Sequence, residues 1–132
     1  MSDLTYDAKK IRPLHQATTM PPKLAAATGG LGDVVTINTS DKATKSANDS
    51  GKGLGLVVSA EHVAPDGTFA ANKEVVICVF GPVTGFSGLT PGKLVYLSAT
   101  AGRLATTGTV PFGYAWDANT VFVMPGVADS AS

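Results

Sequence analysis

Chemistry near neutral pH needs side chains that hold, take or release charge, and this sequence has few. There are two histidines, His15 and His62, one cysteine, Cys78, and two glutamates, Glu61 and Glu74. A metal centre needs three or four ligands at usable spacing. His15 stands among prolines, His62 follows Glu61 ahead of the Pro65-Asp66-Gly67 turn, and Cys78 lies inside the apolar run Val75–Phe80. These three do not assemble into a metal site, so each histidine reads as solvated or satisfied and Cys78 as a small buried hydrophobe. A single cysteine also excludes an internal disulfide. Nothing in the spacing pairs Glu61 with Glu74 as acid and base. Asp41, Asp49, Asp66 and Asp117 fall in turn contexts, where aspartate commonly accepts local backbone hydrogen bonds. Asp117-Ala118-Asn119-Thr120 offers too few oxygens for a calcium loop.

Two glycine-rich stretches come close to reactive motifs and miss. Gly85-Phe86-Ser87-Gly88-Leu89 lacks the final glycine of a nucleophile elbow and has no helix after it. Gly29-Gly30-Leu31-Gly32-Asp33 lacks the Gly-Lys-Ser/Thr of a phosphate loop, and the Asp33 charge would repel phosphate; it reads as a hinge. No catalytic residue, cofactor site or metal site is therefore expected. The remaining candidate is aromatic. Phe112, Tyr114 and Trp116 alternate, which predicts one shared strand face. Such a row serves either as the core of a β-sandwich or as a platform for a sugar or a single-stranded nucleic acid; the core is the expected use, with Phe122 and Val79-Phe80 as neighbours.

Composition narrows the function classes. The 132 residues suit one domain, long enough to bury a core unaided. Hydrophobic residues are 44%, so the body is not disordered by composition, whereas charged residues are only 15%. The surface must then be largely Thr, Ser, Asn, Gly and Ala, which pack against other proteins with little charge to desolvate. Lys plus Arg equals Asp plus Glu, so the long-range attraction to phosphate that marks nucleic-acid binders is missing. No apolar run is long enough for a membrane helix. Met1-Ser2-Asp3-Leu4 lacks the plan of a secretory leader, which points to synthesis in a cytoplasm.

The elements that must position these residues read as strands. Residues 1–30, interrupted by Pro13, Pro21 and Pro22, predict either a floppy terminus or an extended N-terminal arm that orders against a neighbouring subunit; a virion structural role would favour the arm. Its candidate contacts are Leu4, Tyr6, Lys9, Lys10, Ile11, Arg12, Pro13 and Leu14. The best helical stretch, Pro22–Ala27, runs into Gly29-Gly30. Residues 31–126 predict a small all-β barrel or sandwich of seven or eight short strands. These centre on Asp33–Asn38, Lys42–Ala47, Leu54–Ala60, Glu74–Phe80, Lys93–Ser98, Arg103–Thr107, Phe112–Trp116 and Thr120–Met124. Gly55 marks a bulge or a close backbone approach. Glu74–Phe80 reads as a central strand buried on both faces and ended by Gly81-Pro82. Residues 127–132 form a polar tail.

The stretch Val79–Ser98, with Gly81-Pro82-Val83-Thr84-Gly85-Phe86, the turn Leu89-Thr90-Pro91-Gly92 and the strand Val95-Tyr96-Leu97-Ser98, resembles modules of tailed-phage capsid decoration (cement) and head-fibre proteins. Ala101-Gly102-Arg103-Leu104 and the closing Phe112–Pro125 continue the likeness, which covers about residues 31–126. The resemblance implies a non-enzymatic structural virion protein. It would sit on the outer capsid surface, bind the major capsid protein and form a homotrimer, with no nucleic-acid, membrane or small-molecule partner. A phage tail, fibre or spike module, or a carbohydrate-binding β module, is the alternative.

Overall fold

A computed structural model describes residues 4–14, 17–20, 22–46 and 53–124; His15, Asp49 and the tail 127–132 lie outside them. Half of the chain is strand, and the main antiparallel sheet curls into a half-barrel. The first thirty residues supply β1 (Thr5–Tyr6), a 3₁₀ turn (Ala8–Lys10), β2 (Arg12–Pro13), β3 (Thr18–Thr19), β4 (Lys23–Leu24) and β5 (Gly29–Gly30). Next come β6 (Val34–Ile37), β7 (Ala43–Lys45), β8 (Gly55–Ala60), β9 (Thr68–Phe69) and β10 (Glu74–Thr84). The chain closes with β11 (Phe86–Ser87), β12 (Leu94–Leu97), β13 (Leu104–Ala105), β14 (Pro111–Asp117) and β15 (Thr120–Val123).

β10 organises the molecule. The main sheet runs β13-β12-β14-β15-β10-β8-β6-β7, with β2, β3 and β4 also paired to β10. β8 pairs with Val75–Cys78 and β15 with Gly81–Thr84. Pro13 and Val121 both meet Val83, so they take opposite edges of the strand. The three N-terminal pieces follow β10 from end to end: Arg12 lies opposite Thr84, Thr19 opposite Cys78 and Leu24 opposite Glu74.

That arrangement corrects the reading of residues 1–30 as an arm for a neighbour. The strands among its described residues are extended, but they lie along the protein's own body. Leu4 and Ile11 are 6% and 4% exposed within the core, and the Leu4 amide donates to the Leu104 carbonyl at 2.9 Å. Two-residue strands give no readable period, so the pattern that would have announced this edge is missing from the sequence. Pro22–Ala27 forms no helix, because Lys23–Leu24 is β4.

β10 also runs past its expected end. Gly81 adopts φ +111° and the strand continues through Pro82 to Thr84. It is not buried on both faces throughout, although Ile77 and Cys78 are enclosed side by side. Val75 and Ile77 are fully enclosed, Val76 and Val79 are partly covered, and Phe80 is exposed. β8 is buried over a longer consecutive run, at Leu56, Val57 and Val58. There, Val76 faces Ser59 but Ile77 faces Val57, so Val58 is an extra residue that bulges out of register. Gly55 has the close approach its position implied: a Cβ there would sit 2.2 Å from the Cys78 carbonyl oxygen. Cys78 is fully enclosed, and burial pushes its thiol pKa up, against the opposing effect of backbone contacts with Phe80 and Thr18.

Candidate functional site

The aromatic residues of β14 divide between two sides of the sheet, and the first of two bulges causes it. Val95 faces Gly113 but Tyr96 faces Pro111, which leaves Phe112 as an extra residue and turns its ring inward. Phe112 is 1% exposed, and a Cβ on Gly53 would press on its ring. Ala115 faces Val121 and Asp117 faces Thr120, which leaves Trp116 as the second extra residue. Trp116 is 61% exposed. The expectation of one continuous core row is therefore corrected: Phe112 is core, Tyr114 is half-buried and Trp116 faces solvent.

Around Trp116 the outer face of the sheet carries a connected aromatic surface. Pro82, Phe122, Tyr114 and Leu94 occupy one row across β10, β15, β14 and β12 by register, and all four are partly exposed. The Tyr114 and Phe122 rings stack at 5.3 Å, Phe80 meets Phe122 edge-on at 5.2 Å, and Trp116 lies 6.1 Å from Phe122. Phe80 is 47% exposed. The inner row behind it (Val83, Val121, Ala115) is buried, so the face rests on a packed support. Rigid aromatic rings on such a support offer large contact area at low ordering cost.

The chain matches no protein-family model, and no curated protein or solved structure is similar to it. The reading of the site therefore rests on its own geometry.

A second surface gathers most of the contacts predicted from the N-terminal sequence. Tyr6, Lys9, Lys10, Ile11 and Arg12 line one open cleft with Asp7, Thr84, Gly85, Phe86, Ser87 and Asn119. Lys9, Lys10, Arg12 and Pro13 are exposed, and Leu14 is half-buried with its amide donating to the Pro82 carbonyl at 2.9 Å. Leu4 and Ile11 belong to the core and are corrected as outward contacts. Tyr6 packs on Phe86 at 5.4 Å and carries the Arg103 guanidinium 5.0 Å from its ring centroid.

The titratable residues play structural parts. Asp33 is buried, and its Oδ2 accepts from the Gly30 amide at 3.0 Å. Burial raises its pKa; the Gly30 hydrogen bond and the charges of Lys45 and Arg103 oppose that rise without cancelling it. The expected hinge at Gly29–Gly32 is thus a fixed turn, with Gly29-Gly30 paired to Thr68-Phe69. Glu61 and Glu74 do meet: the Glu74 amide donates to Glu61 Oε1 at 3.1 Å, and the Glu61 amide to the Glu74 carbonyl at 2.8 Å. The contact ties the β8–β10 connection together. His62 Nε2 lies 3.9 Å from Glu61 Oε2, with both side chains solvent-accessible. Asp66 accepts from the Thr68 hydroxyl and amide, which lowers its pKa; Lys9 adds a smaller pull in the same direction. Among the described residues no three His, Cys, Asp or Glu side chains gather as a metal would need. No helix among them is long and apolar enough to cross a membrane.

Proposed function

We propose that the chain is a structural virion protein, a decoration (cement) protein on the outer surface of a tailed-phage head. In this reading it stabilises the shell by bridging major capsid protein subunits, as a homotrimer and without a cofactor or a reaction. The observation that carries the reading is the exposed aromatic face of Phe80, Tyr114, Trp116 and Phe122 on a packed sheet. Covering surface rings of this kind with a partner lowers the free energy, because apolar area is removed from water. A charge-poor surface adds support, because close contact then desolvates few ions. The choice of the major capsid protein as the proposed partner comes from the sequence likeness read over residues 31–126.

Co-sedimentation of the purified protein with expanded phage heads tests the reading. Wild type should pellet with heads, and Trp116→Ala should remain in the supernatant while keeping its fold. Equal pelleting of both would remove the aromatic face from the docking role, and absence of wild type from the pellet would remove the decoration role.

The high exposure of Trp116 beside a stacked Tyr114–Phe122 pair also favours the second reading, a fibre, spike or carbohydrate-binding module, because a sugar ring stacks on such a face. A glycan array separates the two: saturable glycan binding that Trp116→Ala abolishes supports the second reading over the first.

A further inference from the structure

The cleft beside β1 and β2 has a charge balance unlike the rest of the chain. The protein is neutral overall, yet this cleft of about 780 Å³ presents Lys9, Lys10 and Arg12 against the single carboxylate of Asp7. Asp7 is already engaged, since its Oδ1 accepts from the Lys9 amide at 3.2 Å as the cap of the 3₁₀ turn. Lys9 is partly offset by Asp66, whose carboxylate it helps to hold in the charged form. Lys10 and Arg12 are exposed and make no ion pair among the described residues.

The cationic turn is clamped in place. Gly67 (φ +89°) and Gly85 (φ +117°) press against it from two sides: a Cβ on Gly67 would lie 2.6 Å from Ala8 Cβ, and one on Gly85 would lie 2.8 Å from Ile11 Cα. The Asp7 amide donates to the Gly85 carbonyl at 3.1 Å, and the Lys10 amide to the Asp7 carbonyl at 2.9 Å. Ile11, between Lys10 and Arg12, is anchored in the core. The backbone carrying the charges is thus ordered before any partner arrives, which lowers the entropic cost of binding. Thr84, Ser87 and Asn119 add neutral hydrogen-bonding groups around the same opening.

We infer that this cleft is a docking site for an acidic segment of another protein, with Asp or Glu carboxylates of that segment paired to Lys10 and Arg12. The inference deepens the docking role proposed above by naming the chemistry of one contact on the partner. Nucleic acid fits less well. Its affinity grows with the number of phosphates neutralised along a track, and here the cations span four residues of a neutral chain.

Titration of the full chain with hexaglutamate, followed by amide chemical shifts, tests this. The expected result is saturable shifts at Lys9–Arg12 and Asn119 that weaken with salt, and at least about tenfold weaker binding in Lys10→Gln/Arg12→Gln. Both side chains are exposed, so the fold should survive, and circular dichroism checks that it does. Lys93→Gln, outside the cleft, should bind as wild type. Absence of shifts, an equal loss in Lys93→Gln, or tighter binding of a single-stranded hexanucleotide would each overturn the inference. Head co-sedimentation is read in parallel. Wild type that pellets with heads but ignores hexaglutamate fails the cleft alone, and the converse fails the decoration role alone.

Discussion

Phe80 and Phe122 meet edge to face, 5.2 Å apart, on the outer side of the β10–β15 pair. Neither ring is enclosed by the protein's own chain. This pair anchors a surface in which Trp116 is the most exposed member.

Trp116→Ala should therefore change stability by less than about 1 kcal/mol, as surface substitutions do. A partner-covered tryptophan is worth about 2 kcal/mol or more, so binding to the partner should weaken roughly thirtyfold. Phe112→Ala, earlier on the same strand but inside the sheet, should cost about 3–5 kcal/mol. Denaturant midpoints of the two variants, set beside their binding curves, check the contrast.

The N-terminal segment should prove integral to the fold. Ile11→Ala removes a core side chain and should cost about 2–5 kcal/mol. Deleting residues 1–20 strips β1, β2 and β3, uncovering one edge of β10 and the Tyr6 side of Phe86. The truncated chain should lose its cooperative unfolding transition. A two-state melt close to that of the full chain would show that β10 holds without this edge.

Gly55→Ala and Gly113→Ala should be among the most damaging single changes. A Cβ would lie 2.2 Å from the Cys78 carbonyl oxygen in the first and 2.1 Å from that of Phe122 in the second. Backbone must move to make room, at about 1–3 kcal/mol or more. Gly88→Ala meets open space and bears only the strain of φ +72°, about 1–2 kcal/mol. Chemical denaturation of the three variants should rank them in that order.

Asp33 gives a pH signature. Its pKa is raised in the folded protein, so between the ordinary aspartate value of about 4 and that raised value the native state holds more proton than the unfolded chain. Stability from this group is present in acid and falls as pH rises through the window. Asp33→Asn keeps an acceptor for the Gly30 amide and removes the buried charge. The variant should match wild type below about pH 4 and be more stable at neutral pH. A variant less stable than wild type at pH 7 would show that Lys45 and Arg103 outweigh desolvation.

Much of the fold was legible in the sequence because strand segments were separated by turns with a chemical reason. Val34–Ile37, Gly55–Ala60, Leu94–Leu97 and Thr120–Val123 lie inside the spans their apolar runs marked, and Ala43–Lys45 inside the weak strand expected between turns at Lys42–Ala47. Asn119 caps the β14–β15 turn by donating its amide to Asp117 Oδ1 at 2.8 Å, as the turn residues implied. The face of each residue was less legible. Alternation assumes an unbroken ladder, and the bulges at Val58, Phe112 and Trp116 each shift it by one. Pairing partners far along the chain carry no local mark, so the placement of β2, β3 and β4 beside β10 was hidden. The basic cluster itself was visible as Lys9, Lys10 and Arg12. Its cleft depends on Gly67 and Gly85, which sequence separation gave no reason to join.

The threading of β10 between distant partners has a consequence for birth of the protein on the ribosome. Its edges are completed by residues as early as Arg12 and as late as Val123. The native arrangement cannot close until Val123 has been synthesised. Until then a long apolar segment waits with open hydrogen-bonding groups, and its protection falls to the translation machinery and to chaperones rather than to the nascent chain itself.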